Sequence, residues 1–547
     1  MSLLSIRNLA VTFATNGGLV TAVNDVSLDV EPGETVAVVG ESGSGKSVTA
    51  LSVLSLLGKK GNVSRGGITF DGRSLIGIGE RDLRQIRGRE ISIIFQNPME
   101  AMNPIRKVGD QISDALVVHT GLGRAAARAE AIRLMEEVRI SRARERFDAY
   151  PFQLSGGMCQ RIMIAIAISC RPRLLIADEP TTGLDVTTQK VIMDIVRDLC
   201  AARQMACMII THDLALASEY AGRIVVMQGG NVVEAGSVDQ VLRHPRADYT
   251  SRLIAATPRR GESVYALLPE SERMPVDTLA KDLPAPETRP LLEVRNLVKL
   301  FPGKKGSADI RAVDDVSFSI GPGESLGLVG ESGSGKTTVS RIVARLMDAS
   351  AGQILFEGQE VGAIGKAAFA RSPLRGGIQY VFQDPSSSLN PRWTAFDSIA
   401  DPLLRIGTSS DRSNMRARVH SLAEQAGLPL KLLSRLPHQL SGGQKARVGI
   451  ARAIALAPRL LILDEPTTAL DVSVQAIVLN QLDKLKRELG FSFLFISHDL
   501  TVVSMLCERV IIMRAGKIEE EGAADEIFDA PRTEYVRTLI DSIPQMR

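Results

Sequence analysis

Cysteine is scarce in this 547-residue chain. Five occur, at 159, 170, 200, 207 and 507, and no two form a CxxC pair. That spacing argues against zinc or an iron–sulfur cluster, and reduced thiols of a cytoplasmic protein are expected instead. No apolar run of about 18 residues or more occurs, so no segment is expected to span a bilayer by itself. The opening MSLLSIRNLAVTF has no basic region followed by an apolar one, and no export signal is expected. Neither sign of charge is in excess: the net charge of +3 argues against a broad nucleic-acid-binding face. What remains, 44% hydrophobic and 23% charged residues, is ordinary for a globular protein, and the length suits two or more domains.

Against that plain background, one short sequence occurs twice. GESGSGKS stands at 40–47 and GESGSGKT at 330–337. Each fits G-x-x-x-x-G-K-[ST], the glycine-rich phosphate loop. Gly40, Ser42, Gly43, Ser44 and Gly45, and their counterparts Gly330, Ser332, Gly333, Ser334 and Gly335, let the backbone curl so that successive N–H groups face phosphate oxygens. Lys46 and Lys336 supply a positive charge for the outer phosphates, and Ser47 and Thr337 a hydroxyl for Mg²⁺. Val48 and Thr338, next along the chain, complete the candidate nucleotide-binding sets.

The rest of the chain repeats in step with these loops. The interval from Lys46 to Lys336 nearly equals those from Glu179 to Glu465 and from His212 to His498, as tandem duplication requires. Between the halves, residues 258–290 hold prolines at 258, 269, 275, 284, 286 and 290, too many for a continuous helix or central strand. The expected organisation is a first domain over 1–257, a proline-rich linker over 258–290 and a second domain over 291–547. A flexible linker of that length spans roughly 30 Å. In each half the pattern is strand, loop, helix. TVAVVG (35–40) and SLGLVG (325–330) read as buried strands feeding the loops. RAAARAEAIRLMEEVRI (124–140) reads as a helix with Ile132, Met135 and Val138 near one face. LLIAD (174–178), MIITHD (208–213), LLILD (460–464) and FLFISHD (493–499) read as short apolar strands. The fold class is therefore α/β, with a mostly parallel sheet and its ligand at the strand C-termini.

Two of those strands end in an acid, Asp178 and Asp464, placed to hold Mg²⁺ and its water shell near the phosphates. Glu179 and Glu465 follow, where a carboxylate can polarise an attacking water; the bland alternative is a solvated strand end or helix cap. Upstream stand LSGGMCQR (154–161) and LSGGQKAR (440–447). Ser155, Gly156 and Gly157, and Ser441, Gly442, Gly443 and Gln444, offer a hydroxyl, free N–H groups and the positive end of a helix dipole.

These motifs resemble the LSGGQ signature and its companions in ATP-binding cassette (ABC) proteins, along essentially the whole chain outside the linker. The resemblance implies two tandem cassettes, each with a RecA-like parallel core, an antiparallel β subdomain and a helical subdomain. It implies that Gln96 and Gln383 sense the γ-phosphate and Mg²⁺, and that His212 and His498 contact the γ-phosphate. It makes Asp185 and Asp471 the coupling aspartates, and Phe13 and Phe301 candidates for stacking on adenine. Family cassettes pair head to tail. Loop 40–47 with Gln96, Asp178, Glu179 and His212 would then be closed by Ser441–Gln444, and loop 330–337 with Gln383, Asp464, Glu465 and His498 by Ser155–Met158. This intramolecular pseudo-dimer, ATP-hydrolysing with Mg²⁺, departs from the family at Met158, where the usual signature glutamine is replaced. Two competent sites are expected, the second somewhat weaker.

QNPMEAMNP (96–104) and QDPSSSLNP (383–391), with HPRADYTSRLIAATP (244–258), look like the oligopeptide, dipeptide and nickel importer branch. The second tail, APRTEYVRTLIDSIP, keeps Pro531, Tyr535 and Leu539 but lacks the histidine and threonine. The cysteine-rich C-terminal segment of many branch members is absent. This resemblance implies a peripheral ATPase on the cytoplasmic face of the bacterial inner membrane, with two permease subunits, a periplasmic or lipid-anchored solute-binding protein and no nucleic acid. Peptides, microcin-like peptides or glutathione are the solutes expected, with nickel and opine-type solutes as alternatives. Closure on ATP would move helical subdomains near 97–172 and 384–458 against the permeases. The alternatives are a soluble ABC ATPase acting on ribosomes or DNA, which would call for a long charged helical linker or zinc cysteines, and an exporter ATPase.

Overall fold

Short runs of aliphatic residues, ended by glycine or aspartate, become the strands that carry the motifs. The computed structural model describes residues 2–15, 17–269, 273, 289–303, 309–407, 413–468 and 470–546. They fall into two units: Met1–Leu184 with Thr188–Thr257 and Pro544–Arg547, and Asp185–Thr187 with Pro258–Ile543.

The strands of the first unit are β1 (Leu4–Thr15), β2 (Gly18–Val30), β3 (Thr35–Val39), β4 (Gly61–Phe70), β5 (Arg73–Ser74), β6 (Ile91–Ile94), β7 (Leu174–Asp178), β8 (Ala206–Thr211), β9 (Arg223–Gln228) and β10 (Asn231–Ser237). Their order is β5-β4-β1-β2-β10-β9-β3-β8-β7-β6. The stretch β6-β7-β8-β3-β9 is parallel. The stretch β5-β4-β1-β2 is antiparallel and joins the rest through the Asn231–Asp25 pair. Every residue of β7 and β8 is buried, so these strands run apolar up to the closing Asp178 and Thr211 rather than alternating. The helix Lys46–Val53 packs against both stretches: its Ala50 and Val53 share a core with Val26 and Ile68 of the antiparallel stretch and Val38 and Ile176 of the parallel one. A second core forms the helical region, where the helices Val108–Thr120, Arg124–Glu137 and Gly156–Ile168 bury Ile112, Leu134, Met135 and Ile162. The helix expected over 124–140 thus stops at Glu137. Val138 is its C-cap and, like Met135, is buried; Ile132 is half-buried.

The second unit repeats the plan with β11 (Leu292–Phe301), β12 (Ile310–Ile320), β13 (Ser325–Gly330), β14 (Ala351–Phe356), β15 (Gln359–Glu360), β16 (Ile378–Val381), β17 (Leu460–Asp464), β18 (Ser492–Ser497), β19 (Arg509–Arg514) and β20 (Lys517–Ala523). Here the antiparallel sheet β12-β11-β14-β15 and the sheet β16-β17-β18-β13-β19-β20 are separate. The latter is parallel except for β20. In both units the phosphate-loop strand, β3 or β13, is central in the parallel sheet.

Part of the proline-rich stretch does more than connect. Val264–Leu267 forms a 3₁₀ turn whose Val264 and Leu267 are buried. Asn480 on the helix Val472–Leu489 donates to the Val264 carbonyl (2.6 Å), and the Tyr265 hydroxyl bonds Asp483. Two apolar residues three apart give the turn one buried face, a signal that proline counting overlooks. Residues 270–272 and 274–288 of the expected linker lie outside the described residues.

Candidate functional site

Each phosphate loop is shaped by glycines with no alternative. Gly40 has φ +152°, and a Cβ there would lie 2.2 Å from the Met227 carbonyl oxygen; at Gly330 the values are +150° and 2.2 Å from that of Met513. Gly45 (φ +97°) and Gly335 (φ +105°) then turn directly into the helices Lys46–Val53 and Lys336–Val343. Left-handed backbone and close carbonyls both demand glycine, and the turn aims helix N-terminal N–H groups into the loop. The buried Lys46 ammonium donates to the carbonyls of Gly40 (2.7 Å) and Glu41 (2.8 Å) and to Ser44 Oγ (3.4 Å). Lys336 repeats this with Gly330 (2.7 Å), Glu331 (2.8 Å) and Ser334 (3.5 Å). Burial lowers the Lys336 pKa, with the charges of Glu465, Asp185 and Asp464 opposing. Ser42, Gly43, Ser332 and Gly333 form the exposed rims, while Val48 and Thr338 are half-buried on the helices.

The acid pairs close on these loops. Ser47 Oγ donates to Asp178 Oδ1 (2.9 Å), and Thr337 Oγ1 to Asp464 Oδ1 (3.2 Å). Glu179 (φ +46°) and Glu465 (φ +48°) both adopt the left-handed conformation, which costs a side-chain-bearing residue about 1–3 kcal/mol. That backbone turn is kept by N–H bonds from Glu179 to the Ile210 carbonyl and from Glu465 to that of Ile496, both 2.9 Å. Each glutamate is then gripped by three side chains. Gln96 Nε2 (2.7 Å) and Thr182 Oγ1 (2.9 Å) donate to Glu179 Oε2, and His212 Nδ1 stands 3.5 Å from Oε1. In the second unit Gln383 (2.8 Å), Thr468 (3.2 Å) and His498 (3.4 Å) all meet Glu465 Oε2.

This wiring separates the adjacent carboxyls electrostatically. Burial raises the Asp178 pKa, against the Ser47 hydrogen bond, and the neighbouring Glu179 charge adds to the rise. Asp464 is raised for the same leading reason. Burial also works against the Glu179 charge, but the His212 hydrogen bond and charge, Thr182 and Lys46 outweigh it and hold the pKa below its ordinary value; Glu465 behaves alike with His498. The hydrogen bond to Glu179 raises the His212 pKa against burial, and Glu465 overcomes a larger burial effect at His498. A histidine with a raised folded pKa contributes stability that is complete below its ordinary 6.5 and is lost as pH climbs through the folded value. The melting-temperature gap between wild type and His212→Asn is therefore expected to narrow from about pH 6 to about pH 9; a constant gap would contradict the pairing.

The signature serines cap their helices. Ser155 Oγ and Ser441 Oγ accept the N–H groups of Met158 and Gln444, each at 3.3 Å. Gln444 Oε1 also accepts the Ser441 N–H (3.0 Å), completing a capping box. Met158 has no amide to do this, so the departure seen in the sequence becomes half a cap. Met158→Gln is expected to raise stability by about 0.5–1 kcal/mol, read as the denaturant midpoint of the first unit. Gly157 and Gly443 pack so tightly that a Cβ would meet Thr188 Cγ2 at 2.5 Å and Val474 Cγ1 at 2.2 Å.

Each unit thus holds three hydrogen-bonded sets: the lysine with its loop, the Ser47 or Thr337 hydroxyl with the strand-end aspartate, and the glutamate with its glutamine, threonine and histidine. The signatures and the phenylalanines lie outside them. Phe13 is half-buried against the core and pairs with Val20 and Gly61, while Phe301 sits 5.3 Å from the Lys299 ammonium. Asp185 accepts from Thr187 (2.8 Å), and Asp471 starts the helix Val472–Leu489. Sequence reading missed Thr182 and Thr468, although EPTT stands in both halves. It also missed Tyr380, whose hydroxyl donates to Asp464 Oδ2 (2.6 Å) and which is replaced by Ile93 in the first unit. The donor set fits Mg²⁺: a hydroxyl, a buried carboxylate and an amide carbonyl are hard oxygen donors. Among the described residues no three His, Cys, Asp or Glu side chains cluster as metal ligands.

The class these two sites define is that of a paired nucleotide-binding ATPase, and comparison with known proteins gives its family. The ABC transporter family model matches residues 23–182 and 313–468, and the chain belongs to that family. It is an ATP-binding, ATP-hydrolysing transport ATPase with two cassettes. The model of the oligopeptide/dipeptide transporter C-terminal region matches residues 520–547, the second of the two tails. The chain is similar to the glutathione import ATP-binding protein GsiA of Pectobacterium atrosepticum, at 43% identity over 98% of this chain and 89% of that protein. Proteins of the same name from Salmonella typhimurium and Escherichia coli K12 are 42% and 41% identical, each over 99% of this chain, and over 89% and 90% of their own length. No helix among the described residues is long and apolar enough to cross a membrane.

Proposed function

We propose that this chain is the ATPase subunit of a bacterial ABC importer for peptides or related small solutes, glutathione among them. The observation that carries the reading is similarity along nearly the whole chain to proteins named for glutathione import, joined to the peptide-transporter match at 520–547. Partners would be two permease subunits and a solute-binding protein outside the membrane, with the ATPase held on its cytoplasmic face.

In this reading Glu179 and Glu465 orient and polarise the attacking water, each kept anionic by its histidine. Lys46 and Lys336 release their loop carbonyls to meet phosphate oxygens. Ser47, Asp178 and Gln96, and Thr337, Asp464 and Gln383, would hold Mg²⁺, which neutralises developing phosphate charge. Each loop would work with the signature of the other half, as the family resemblance implies, so that hydrolysis and reopening alternate within one chain. Differential affinity of ATP for the closed state supplies the drive.

Affinity purification from the native membrane tests this. Permease subunits should co-purify, and ATP turnover in proteoliposomes should rise when glutathione- or peptide-loaded binding protein is added. Recovery of ribosomes or DNA without permeases would overturn it.

A further inference from the structure

Each unit ends in a helix tied to its own phosphate loop. In the first, the Glu234 carboxylate on β10 accepts the backbone N–H groups of Arg246 (2.8 Å) and Ala247 (3.1 Å), fixing the start of the helix Asp248–Ala256. That anchoring seats the Tyr249 ring in the core with Val39, Leu214 and Leu253. The ring is 7% exposed, and its hydroxyl accepts the backbone N–H of Glu41 at 3.1 Å. Glu41 is the second residue of the phosphate loop, and its carbonyl is one of those holding Lys46.

The second unit repeats the anchor with a looser last contact. Glu520 on β20 accepts from the N–H groups of Arg532 (3.0 Å) and Thr533 (3.2 Å), and the helix Glu534–Asp541 follows. Tyr535 again reaches its loop, with the Arg514 guanidinium 4.5 Å from its ring centre. Its buried hydroxyl lies against the Glu331 backbone, in a contact outside ordinary hydrogen-bond geometry.

We propose that Tyr249 is a positioning residue for nucleotide binding at the first phosphate loop, its hydroxyl holding Glu41 while Lys46 changes partners. Without nucleotide, Lys46 ties the loop together by bonding the carbonyls of Gly40 and Glu41. Once the ammonium turns to phosphate, those ties go, and the loop must keep its curl by other means. The Tyr249 bond approaches from the opposite side, from the N–H rather than the carbonyl, and does not depend on the lysine. A loop already curled spends less of its binding energy on ordering. The tail that distinguishes this transporter branch would thereby act on ATP affinity. The inference rests on the loop being an ATP site and not on the solute imported.

The test is Tyr249→Phe in the full chain, which keeps the ring in its core and removes the hydroxyl. The KM for ATP should rise about 3–10-fold with kcat within about twofold, the range one hydrogen bond supplies. Melting without nucleotide should be unchanged. Tyr535→Phe, which removes only the looser contact, should raise KM less than Tyr249→Phe does. An unchanged KM for Tyr249→Phe, a fall in kcat alone, a marked loss of nucleotide-free stability or an equal effect from Tyr535→Phe would each overturn the proposal. Failure of the wild-type chain to bind ATP would instead overturn the nucleotide-site reading beneath it.

Discussion

Glu179→Gln combined with Glu465→Gln should lower ATP turnover about 10²–10⁴-fold while ATP still binds, the loss expected when a positioned base is removed. The substitution is close to isosteric and should not disturb the fold. The left-handed backbone at both positions is retained by main-chain bonds to Ile210 and Ile496, which do not involve the carboxyl. What changes is the side chain's ability to accept. The Oε2 atom of Glu179 takes hydrogen bonds from both Gln96 and Thr182, and Oε1 faces His212. A carboxamide can satisfy one side of that arrangement and must turn an N–H₂ toward donors on the other. The histidine then loses the carboxylate that raises its pKa. Single-turnover hydrolysis and nucleotide binding measured on the same preparation separate the two effects. Turnover within threefold of wild type in the double variant would show that neither glutamate acts as the base.

The single variants address whether the sites are equal. Glu465 is gathered by three donors onto one oxygen, whereas Glu179 spreads its partners over two. Asp464 has both Thr337 and Tyr380, but Asp178 has Ser47 and, at the position of β6 that matches the tyrosine, the aliphatic Ile93. The signature of the first half is half-capped at Met158. These differences lie around the chemistry rather than in it, since the acid pair, the glutamine and the histidine are present twice. Glu465→Gln alone should therefore lower turnover, and no change would contradict a working second site.

How much of this was legible in the sequence depended on the kind of constraint. The loops, acid pairs and strand ends could be read because each is fixed by neighbours along the chain. Gly40 is glycine for one backbone turn, and LLIAD is apolar because a buried parallel strand needs five consecutive buried residues. The contact between Gln96 and Glu179 joins residues far apart in the chain, and no local pattern announces it. Tyr249 lay within a motif that signalled a transporter branch but gave no physical role; the role depends on β10 placing Glu234 under the start of the tail helix. The 3₁₀ turn Val264–Leu267 was hidden by the prolines on either side, because apolar residues three apart are too short a signal to stand out there.

Asp178→Asn should raise the melting temperature of the nucleotide-free protein and abolish most of the stabilisation given by Mg²⁺ and ATP. The sign follows from burial. The Asp178 pKa is raised above its ordinary 3.8, so the ionised carboxyl is disfavoured by folding at every pH above that value. Stability linked to this group is greatest below 3.8 and falls as pH rises through the folded pKa, so burying the charge counts against the folded state at neutral pH. Asparagine removes it, together with repulsion from Glu179, and its carbonyl can still accept from Ser47 Oγ. With nucleotide the order reverses. A ligand at about a hundredfold its Kd stabilises the folded state by about 2.7 kcal/mol. A neutral amide in place of the carboxylate weakens the metal that helps hold the phosphates. The two melting curves should thus cross: variant above wild type without nucleotide, below it with Mg²⁺ and ATP. Asp464→Asn should gain less in the nucleotide-free state, because both carboxylate oxygens there are already accepting, one from Thr337 and one from Tyr380, and asparagine leaves one oxygen for two hydroxyls. Scanning calorimetry at matched pH would decide it: a nucleotide-free Asp178→Asn protein less stable than wild type would mean that burial of the charge is not what dominates at this strand end.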